Sequence, residues 1–517
     1  MNKNNNRIRK FHQAKWDEQI IFELDTPGER GILFREVEEE IVKKVGDGIS
    51  DIPKNIVRSK SPNLPEINQL KVLRHYMRLS QETMGVDIAI DPHGTCTMKY
   101  SPKVQEHLAA RSPNVTEIHP YQPEETIQGL LEIIYKLEEF LMEISGMDSF
   151  SLQPSGGAQA VYAGAAIIRQ YHEKRNDSKR DEIITTIFSH PCDAAAPATA
   201  GYKIITLMPD ENGYPSIEAL EKVISNRTAG IFITNPEDTG IYNPKINDFV
   251  KLAHKHGALC YYDQANANGL LGIARAKEAG FDICHFNLHK TFSVPHNSTG
   301  GAVGAVGCTK KLTEFLPIPR VAFNGKKYYL KEKNNNTIGK IRSYFGNSHS
   351  FLKAYAWILS LGSAGLKEVA IGAVLNNNYM DKKIREIPGI EIWYEKEKRL
   401  EQVRYSWNKL YEDTGVTTED IRRRFVDYGI PHYFPSHHPW VIPQPFTPEP
   451  CESYSKSDID EFVNIIRKIS DEAYSNPDIV KNSPHNASIH KVIKSDLTIK
   501  KDIYVTWRQY KKSKKLD

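Results

Sequence analysis

The stretch Tyr261–Phe292, YYDQANANGLLGIARAKEAGFDICHFNLHKTF, places a carboxylate and a lysine behind two successive apolar runs. The first run, Ala258–Tyr262, is followed by Asp263, and the second, Ile283–Leu288, leads to Lys290. Both runs have the length of buried strands. The 27-residue interval from Asp263 to Lys290 has room for a crossover connection, so both side chains could emerge at one edge of a parallel sheet, where ligands bind.

The same alternation of short apolar runs and amphipathic helices continues on both sides of this stretch. Further strands are expected at Ile184–Phe188, Lys203–Leu207 and Gly230–Thr234, and helices at Ser216–Ser225 and Asn247–Lys255. The glycine-rich segment Gly300–Gly307 is expected to turn back into a strand of the same sheet. Strands that alternate with helices predict a mainly parallel sheet covered on both faces, which is the α/β class.

The length of 517 residues predicts more than one compact core. The expected divisions are an N-terminal arm at 1–90, a large α/β domain at 91–345, a small C-terminal α+β domain at 346–485 and a basic tail at 486–517. Helices are expected after Pro123 and at Phe351–Leu361, Leu366–Tyr379, Thr418–Tyr428 and Lys456–Tyr474, with a strand at Ile390–Tyr394. The span Pro431–Pro450 is expected to be extended or looped, because proline lacks the N–H that a helix needs.

Composition and charge argue against several classes of protein. The net charge is +4, from 68 basic and 64 acidic residues, which gives no reason to expect nucleic acid or a membrane as partner. No run approaches the roughly 18 apolar residues of a membrane span. The six cysteines are scattered without a CxxC pair, which favours reduced thiols in the cytoplasm. The basic segment 500–515, with Trp507 and Tyr510, could bind RNA, but a solvated tail is the simpler interpretation.

A lysine and a carboxylate in this arrangement suit pyridoxal 5′-phosphate (PLP). The aldehyde of PLP needs an amine for its covalent link, and its ring nitrogen needs an anionic partner to stay protonated. The lysine must also lose its proton, which burial and nearby positive charge promote. A salt bridge between a surface Lys290 and Asp263 would account for the spacing equally well. The spacing alone therefore leaves both a PLP site and a structural ion pair open.

Two further features would complete a PLP site. The segment Ser155–Gln159, SGGAQ, stands before a helical run, and glycines at a helix N-terminus present N–H groups to a phosphate. His190 follows the predicted strand Ile184–Phe188 and is the candidate to stack on the pyridine ring. Each feature has a plainer alternative, a simple helix start for the first and a hydrogen-bonded bystander for the second.

A metal site is not expected. His437 and His438 near Cys451, and His285 with His289, could suggest one, but their spacings match no zinc pattern. The chain also has no GxSxG elbow, P-loop or GxGxxG motif, so other nucleophile schemes have no support.

Longer motifs make the family recognisable. They are RHYMRLSQETMGVD from Arg74, GTCTMKYSPK from Gly94, HPYQPEETIQG from His119, RSYFGN from Arg342 and SPHNASIHKV from Ser483, together with the stretch that holds Asp263 and Lys290. The chain resembles the P-protein of the glycine cleavage system, glycine dehydrogenase (decarboxylating), and within it the lysine-bearing subunit 2. The similarity covers nearly the whole chain and implies a PLP-dependent transferase of fold type I.

The resemblance implies a role for each candidate residue. Lys290 would hold PLP, Asp263 would pair with its ring nitrogen, and His190 would stack on the ring. The remaining candidates are His289 and the turn Gly157–Ala158–Gln159 for the phosphate, and His93, Thr95, Cys96 and Thr97 near the substrate.

The resemblance also implies the reaction and its partners. Glycine is decarboxylated, CO2 leaves, and the aminomethyl group passes to the lipoyl arm of the small H-protein. In the split form of the enzyme, a subunit 1 that lacks the lysine pairs with subunit 2. Because PLP enzymes of this class usually build their sites at subunit interfaces, a homodimer, a heterodimer or a larger assembly is expected.

Four positions depart from the family pattern, namely Asp91–His93, Ala160–Val161, Pro191–Asp193 and Asn297–Thr299. After His190 the family has Gly-Thr-Asn where this chain has Pro-Cys-Asp. These changes are expected to fall where cofactor and substrate bind, with Val161 as an apolar wall. A PLP enzyme of the same scaffold that acts on another amino acid, with weak turnover of glycine, is therefore an alternative, and a non-catalytic partner subunit is another.

Overall fold

The computed structural model describes residues 8–32, 34–46, 48–92, 94, 99–296, 301–431, 433–491 and 506–515. Contacts between these residues divide the chain into two compact units. The first unit comprises the described residues of Met1–Lys10 and Val86–Ser483, and the second those of Phe11–Gly85 and Pro484–Asp517.

The described residues form twelve strands and fifteen α-helices. The strands are β1 (Ser149–Ser151), β2 (Glu182–Thr186), β3 (Lys203–Leu207), β4 (Thr228–Thr234), β5 (Leu259–Gln264), β6 (Ile283–Asn287), β7 (Gly304–Cys308), β8 (Arg320–Phe323), β9 (Tyr328–Lys331), β10 (Glu391–Ile392), β11 (Tyr405–Ser406) and β12 (Pro445–Phe446). The helices are α1 (Glu39–Val45), α2 (Gln69–Gln81), α3 (Lys103–Arg111), α4 (Pro113–Thr116), α5 (Gln128–Ser145), α6 (Gly157–Lys174), α7 (Cys192–Thr199), α8 (Ile217–Val223), α9 (Ile246–Lys255), α10 (Ser348–Ile384), α11 (Asn408–Thr414), α12 (Thr418–Val426), α13 (Lys456–Ser475), α14 (Pro477–Lys481) and α15 (Trp507–Lys514).

Seven strands form the central sheet, in the order β1-β7-β6-β5-β4-β2-β3. The strands from β6 to β3 run parallel, while β7 is antiparallel to both β6 and β1. The mainly parallel sheet predicted from the sequence is confirmed, and the glycine-rich segment does return to it as β7. Successive residues of β5 point to opposite faces, and Tyr261 and Tyr262 pack in different hydrophobic clusters, so both faces are covered.

The carboxyl ends of β5 and β6 bring Asp263 and Lys290 to one edge of the sheet. Strand β5 runs through Asp263 to Gln264, two residues beyond its expected end, and Asp263 pairs in register with His285 of β6. Lys290 follows β6 at the same edge. The parallel pairing of these two strands is therefore what positions the candidate site.

Helix α5 has the apolar face that its sequence predicts. It begins at Gln128 rather than directly after Pro123, because a 3₁₀ turn at Glu124–Thr126 comes first. The residues of its buried face in the core of the central sheet are Leu130, Leu131, Ile134, Leu137 and Leu141. Gly146 ends the helix with φ 75°, the left-handed conformation that glycine adopts without strain.

Helix α10 joins the two hydrophobic cores of the first unit. Phe351 and Trp357 belong to the core that packs on the central sheet, and Met380 and Ile384 belong to a second core. Gly362, with φ 62° and ψ −174°, interrupts the helical backbone, so the two helices expected here meet end to end. By length and composition alone α10 could cross a membrane, but its two halves are packed into protein cores.

The second core has the α+β character expected of the small domain. It is formed by α11, α12 and α13 together with the three-stranded sheet β10-β11-β12. The expected strand Ile390–Tyr394 shortens to β10, because Tyr394 has φ 58° and leaves the extended conformation. The described part of Pro431–Pro450 contains no helix, only strand β12, as its prolines predict.

The second unit combines the N-terminal arm with the C-terminal tail. The Gln13 N–H donates to the Asn486 carbonyl at 2.8 Å, and the Phe22 ring stacks on Trp507 of α15 with centroids 4.8 Å apart. The ring of Tyr510 stacks on Trp507 in turn. The aromatic residues of the tail are therefore half-buried on the arm rather than fully solvated.

Candidate active site

Lys290 and Asp263 lie in one buried pocket at the carboxyl edge of the central sheet. Lys290 is 7% exposed and Asp263 is 1% exposed, so an ion pair at the protein surface does not explain them. The other described residues that line the pocket are Phe188, His190, Thr234, Pro236, Asp238, Ala265, Asn266, Glu401, Gln402 and His437. The parallel strands thus bring an amine and a carboxylate into one cavity.

The surroundings of Asp263 favour its ionised form. Its Oδ1 accepts a hydrogen bond from the Ala265 N–H at 2.8 Å, and Nε2 of His285 lies 3.5 Å from the same oxygen. Burial alone would raise the pKa of this carboxyl, but His285, the Ala265 N–H and Lys290 outweigh burial and hold its pKa below the usual value. Among the described residues, none donates a conventional hydrogen bond to Oδ2, so this oxygen can accept one from a ring N–H.

His190 is a neutral imidazole in the same pocket. The Cys192 N–H donates to its Nδ1 at 3.1 Å, so Nδ1 carries no proton. Burial, His437 and Lys290 lower the pKa of His190 to about 3. The ring of His437 contacts it edge-on, with centroids 4.5 Å apart. A neutral ring in this position offers a flat surface on which another aromatic ring can stack.

The N-terminus of α6 is an open turn suited to a phosphate. No side chain caps this helix, and the free N–H groups of a helix N-terminus attract anions. A Cβ at Gly157 would lie 2.9 Å from Nδ2 of Asn287, so a larger residue there would displace the helix start or the Asn287 side chain. Gln159 shapes the turn from within, because its Oε1 accepts hydrogen bonds from the N–H and hydroxyl of Ser155 and its Nε2 donates to the Ile341 carbonyl.

His289 and Asn287 border this turn from the end of β6. Cε1 of His289 lies 3.7 Å from the Cβ position of Gly156, and the backbone of Val303 engages its Nδ1. Burial and Lys290 lower the pKa of His289 to about 3, so this ring is neutral as well. Sequence reasoning misses Asn287, although a polar residue at the end of an apolar strand is a signal that could have found it.

A buried ion pair that sequence reasoning also misses supports His190. Arg404 and Asp238 form this pair, and Nδ1 of His437 lies 3.1 Å from Oδ2 of Asp238. Although burial opposes ionisation, Arg404 and His437 lower the pKa of Asp238 far below its usual value. His437, considered from the sequence only as a metal ligand, therefore links this ion pair to the ring of His190.

Glu401 is a neutral acid in the wall of the pocket. Burial and the nearby Glu449 raise the pKa of Glu401 to about 8. Asn266, another lining residue, donates to Oε2 of Glu449 at 3.0 Å. The pocket therefore contains a carboxylic acid that is protonated at neutral pH and ionises just above it.

The predicted substrate residues His93, Thr95, Cys96 and Thr97 lie outside the described residues. Gly94 and Lys99, which flank three of these residues, are described. The Gly94 N–H donates to the Thr447 carbonyl at 3.0 Å. The Lys99 ammonium donates to the carbonyl of Thr291 and to Oε1 of Glu452, both at 2.8 Å. The contact with Thr291 lies one residue beyond the candidate lysine, so Lys99 is anchored beside the candidate site.

The departures from the family pattern do not all converge on the pocket. Asp193 lies beside Asp263, but Val161 is fully buried in the hydrophobic core between α6 and the sheet. The expectation that Val161 forms a wall of the pocket is therefore wrong, because α6 turns this side chain toward the sheet. Asp91 is buried without being among the described lining residues of the pocket. Position 93 and positions 297–299 lie outside the described residues.

The described residues fit PLP at each of its functional groups. Lys290 offers an amine for the aldehyde, and Oδ2 of Asp263 offers an acceptor for a ring N–H. His190 offers a neutral face for the ring, and the uncapped N-terminus of α6 offers N–H groups for the phosphate.

Comparison with known proteins identifies the scaffold. Residues 155–404 match the aminotransferase class-V family, and residues 369–491 match the C-terminal domain of glycine dehydrogenase. A solved glycine decarboxylase (P-protein) of the glycine cleavage system, in an inhibitor-bound form, has a TM-score of 0.69 at 20% identity and covers 85% of this chain and 100% of its own. The cysteine desulfurase CsdA from Escherichia coli has a TM-score of 0.57 at 14% identity, over 75% of this chain and 95% of its own. These likenesses establish the fold, that of the PLP-dependent transferases of fold type I.

Relatives of higher identity cover nearly the whole chain. The probable glycine dehydrogenase (decarboxylating) subunit 2 of Pyrococcus abyssi is 41% identical over 506 residues, which is 98% of this chain and 98% of the relative. The corresponding protein of Saccharolobus solfataricus is 38% identical over 486 residues, 93% of this chain and 94% of the relative. The chain therefore belongs to the family of glycine dehydrogenase (decarboxylating) subunit 2.

Proposed function

We propose that this chain binds PLP at Lys290 and acts as subunit 2 of a glycine cleavage P-protein. In this role it decarboxylates glycine and passes the aminomethyl group to the lipoyl arm of an H-protein. The observation that carries the proposal is the buried pair of Lys290 and Asp263 at the carboxyl edge of the sheet, in a chain whose relatives share almost its full length.

The chain's own residues hold the cofactor and set its protonation. PLP, when bound, supplies the electron sink that makes loss of CO2 from an amino acid possible. Lys290 provides the amine for the covalent link. Asp263 would hold a proton on the ring nitrogen, because its Oδ2, which has no partner among the described residues, could accept a charge-assisted hydrogen bond from the ring N–H. The ionised state of Asp263, favoured by its neighbours, is the state that this role requires.

Three further groups orient the cofactor. His190 stacks on the ring as a neutral imidazole, fixed by the Cys192 N–H and by the edge of His437. The N-terminus of α6 and the His289 ring meet the phosphate. The neutral state of both histidines leaves the helix N-terminus and its N–H groups as the main attraction for the phosphate.

The proposed function includes partners. The names of the relatives imply a subunit 1, and transfer of an aminomethyl group requires a lipoylated acceptor protein. We expect a homodimer or a pair with a subunit-1-like chain, located in the cytoplasm. The domain divisions at residues 90, 345 and 485 remain part of the proposal.

A different amino acid substrate on the same scaffold is the alternative. The argument for this alternative was that the positions that depart from the family pattern would surround the substrate. Asp193 lies beside Asp263, and Val161 lies in the core. These two departures therefore give the alternative no support.

Reduction with borohydride followed by peptide mapping tests the lysine. We expect the cofactor label on Lys290 in the wild-type protein and no label in Lys290→Ala. A matched control is Lys251→Ala, because Lys251 is 79% exposed on α9 and should leave labelling unchanged. A label on another lysine in the wild-type protein would contradict the assignment.

Two assays then test the substrate. Glycine–bicarbonate exchange, with lipoylated H-protein and a subunit-1-like chain present, should be brisk in the wild type and undetectable in Lys290→Ala. A titration with the common amino acids should show glycine as the one that changes the absorption of the bound cofactor. A larger change with another amino acid, and no exchange, would favour the alternative.

A further inference from the structure

A buried aspartate that the proposed function does not use lies beside Asp263. Asp193 stands in the first turn of α7 and is fully buried beside Asp263 of β5. One carboxylate oxygen of each residue lies within 4.8 Å of the other and of Sγ of Cys192. Two carboxylates this close, both removed from water, cannot both be ionised at moderate cost.

The hydrogen bonds around the pair leave a place for one proton. The Thr234 hydroxyl oxygen accepts from the His190 N–H, and its single proton goes to Oδ2 of Asp193 at 3.0 Å. Within the described part of the chain, Oδ1 of Asp193 and Oδ2 of Asp263 have no conventional donor or acceptor. A proton on Oδ1 of Asp193 could be donated to the carboxylate of Asp263. It would give both buried oxygens the hydrogen-bond partner that they otherwise lack.

The neighbours decide which aspartate keeps this proton. The titratable groups that face the pair from the surrounding elements are His285, His190, Lys290, Cys192 and Tyr261. The basic groups among them and the Ala265 N–H act on Asp263 and favour its ionised form. Among the described residues, Asp193 receives a hydrogen bond from the Thr234 hydroxyl alone, and burial together with Asp263 raises its pKa well above the usual value. The thiol of Cys192 also stays protonated, because burial raises its pKa, which makes a metal between these three groups unfavourable.

We propose that Asp193 is a positioning residue that stays protonated and donates its proton to the carboxylate of Asp263. The pair then carries a single negative charge toward the ring nitrogen of the cofactor. The hydrogen bond fixes the orientation of Asp263, and a neutral neighbour avoids a second buried charge. This inference rests on the proposed function only in assigning Asp263 to the ring nitrogen, since the shared proton is a property of the protein without cofactor.

The proton is tested first on the protein without PLP. Asp193→Asn keeps a donor toward Asp263 and an acceptor for Thr234 but cannot titrate. An infrared difference spectrum, wild type minus Asp193→Asn, should show the carbonyl band of a protonated carboxylic acid. A difference spectrum with carboxylate bands in its place would overturn the proposal.

Thermal unfolding as a function of pH gives a second readout. Asp193 is protonated in both states below the unfolded-state pKa of about 3.9, and above it only the unfolded state releases the proton. The wild type therefore loses stability relative to Asp193→Asn as the pH rises from about 4 toward the raised folded-state pKa. The melting temperature of the variant should increasingly exceed that of the wild type between about pH 5 and pH 8. A constant difference, or one that grows in the opposite direction, would overturn the proposal.

The affinity for PLP then distinguishes two roles of Asp193, that of a hydrogen-bond donor that positions Asp263 and that of a negative charge. Asp193→Asn should bind PLP with a dissociation constant within about twofold of the wild type, because the donor remains. Asp193→Ala should bind about tenfold more weakly, since a hydrogen bond to a charged group is lost. Equal weakening in both variants would show that a negative charge at position 193 is required and would overturn the proposal. If instead PLP does not bind through Lys290 and Asp263→Asn leaves affinity unchanged, the proposed function fails while the infrared and stability results still decide the protonation of Asp193.

Discussion

At the scale of single residues, burial and charged neighbours set the charge states of Asp238, Glu401 and His190 in the pocket. Asp238 is ionised because Arg404 pairs with it in the interior. Burial raises the pKa of Glu401, so this side chain is protonated at neutral pH. Burial lowers the pKa of His190, so its imidazole is neutral as well. The pocket thus presents the negative charge of Asp263 where the cofactor ring is expected, while the charge of Asp238 is paired with Arg404 and Glu401 is neutral.

Glu401 predicts how glycine binding depends on pH. Its pKa is raised to about 8, so the side chain is neutral below this pH and negative above it. A carboxylate in the pocket wall would repel the carboxylate of glycine. We expect the KM for glycine to rise severalfold between about pH 7 and pH 9 in the wild type, with a smaller change in kcat.

The variant Glu401→Gln has nearly the same shape and cannot ionise, so its KM should stay level over this range. The control is Glu278→Gln, since Glu278 is 66% exposed and lies outside the described lining of the pocket. Steady-state kinetics of glycine–bicarbonate exchange measure both variants. If the KM rises equally in the wild type and in Glu401→Gln, a group other than Glu401 causes the rise of KM at alkaline pH.

At the scale of secondary-structure elements, the phosphate turn depends on one glycine at the start of α6. A Cβ at Gly157 would lie 2.9 Å from the Asn287 amide, so Gly157→Ala must displace the helix start or the Asn287 side chain. Either movement misaligns the N–H groups that are expected to hold the phosphate. We expect PLP affinity to fall about tenfold or more, which corresponds to at least about 1.4 kcal/mol.

Gly129→Ala provides the comparison, because Gly129 lies in the first turn of α5 and an added Cβ there meets nothing within 4 Å. This variant should keep the PLP affinity and lose no stability, since alanine favours a helix more than glycine does. Titration of the cofactor-free proteins measures the affinities, and thermal unfolding checks the fold. Unchanged affinity in Gly157→Ala would exclude this turn as the phosphate site.

At the scale of the whole molecule, the sequence predicts what local patterns encode and misses what distant segments build together. The sheet and the approach of Asp263 to Lys290 follow from apolar runs and the topology of parallel strands. The Asp238–Arg404 pair could not be read from spacing, because the two residues belong to different parts of the chain that meet only on folding. The stack of Phe22 on Trp507, which joins the arm and the tail, also connects residues that are far apart in the sequence and could not be predicted from spacing.

The last prediction concerns assembly. In the second half of α10, Ile371 and Leu375 lie about one helical turn apart and are exposed by 42% and 64%, and neighbouring exposed apolar side chains are commonly covered by another chain. The relatives are named as subunit 2, which implies at least one further kind of subunit in their assemblies. Sedimentation velocity should therefore give a species heavier than one 58.8 kDa chain, either for the protein alone or after addition of a subunit-1-like chain. A compact monomer that retains PLP under both conditions would contradict this prediction, and it would mean that all groups needed to hold the cofactor come from one chain.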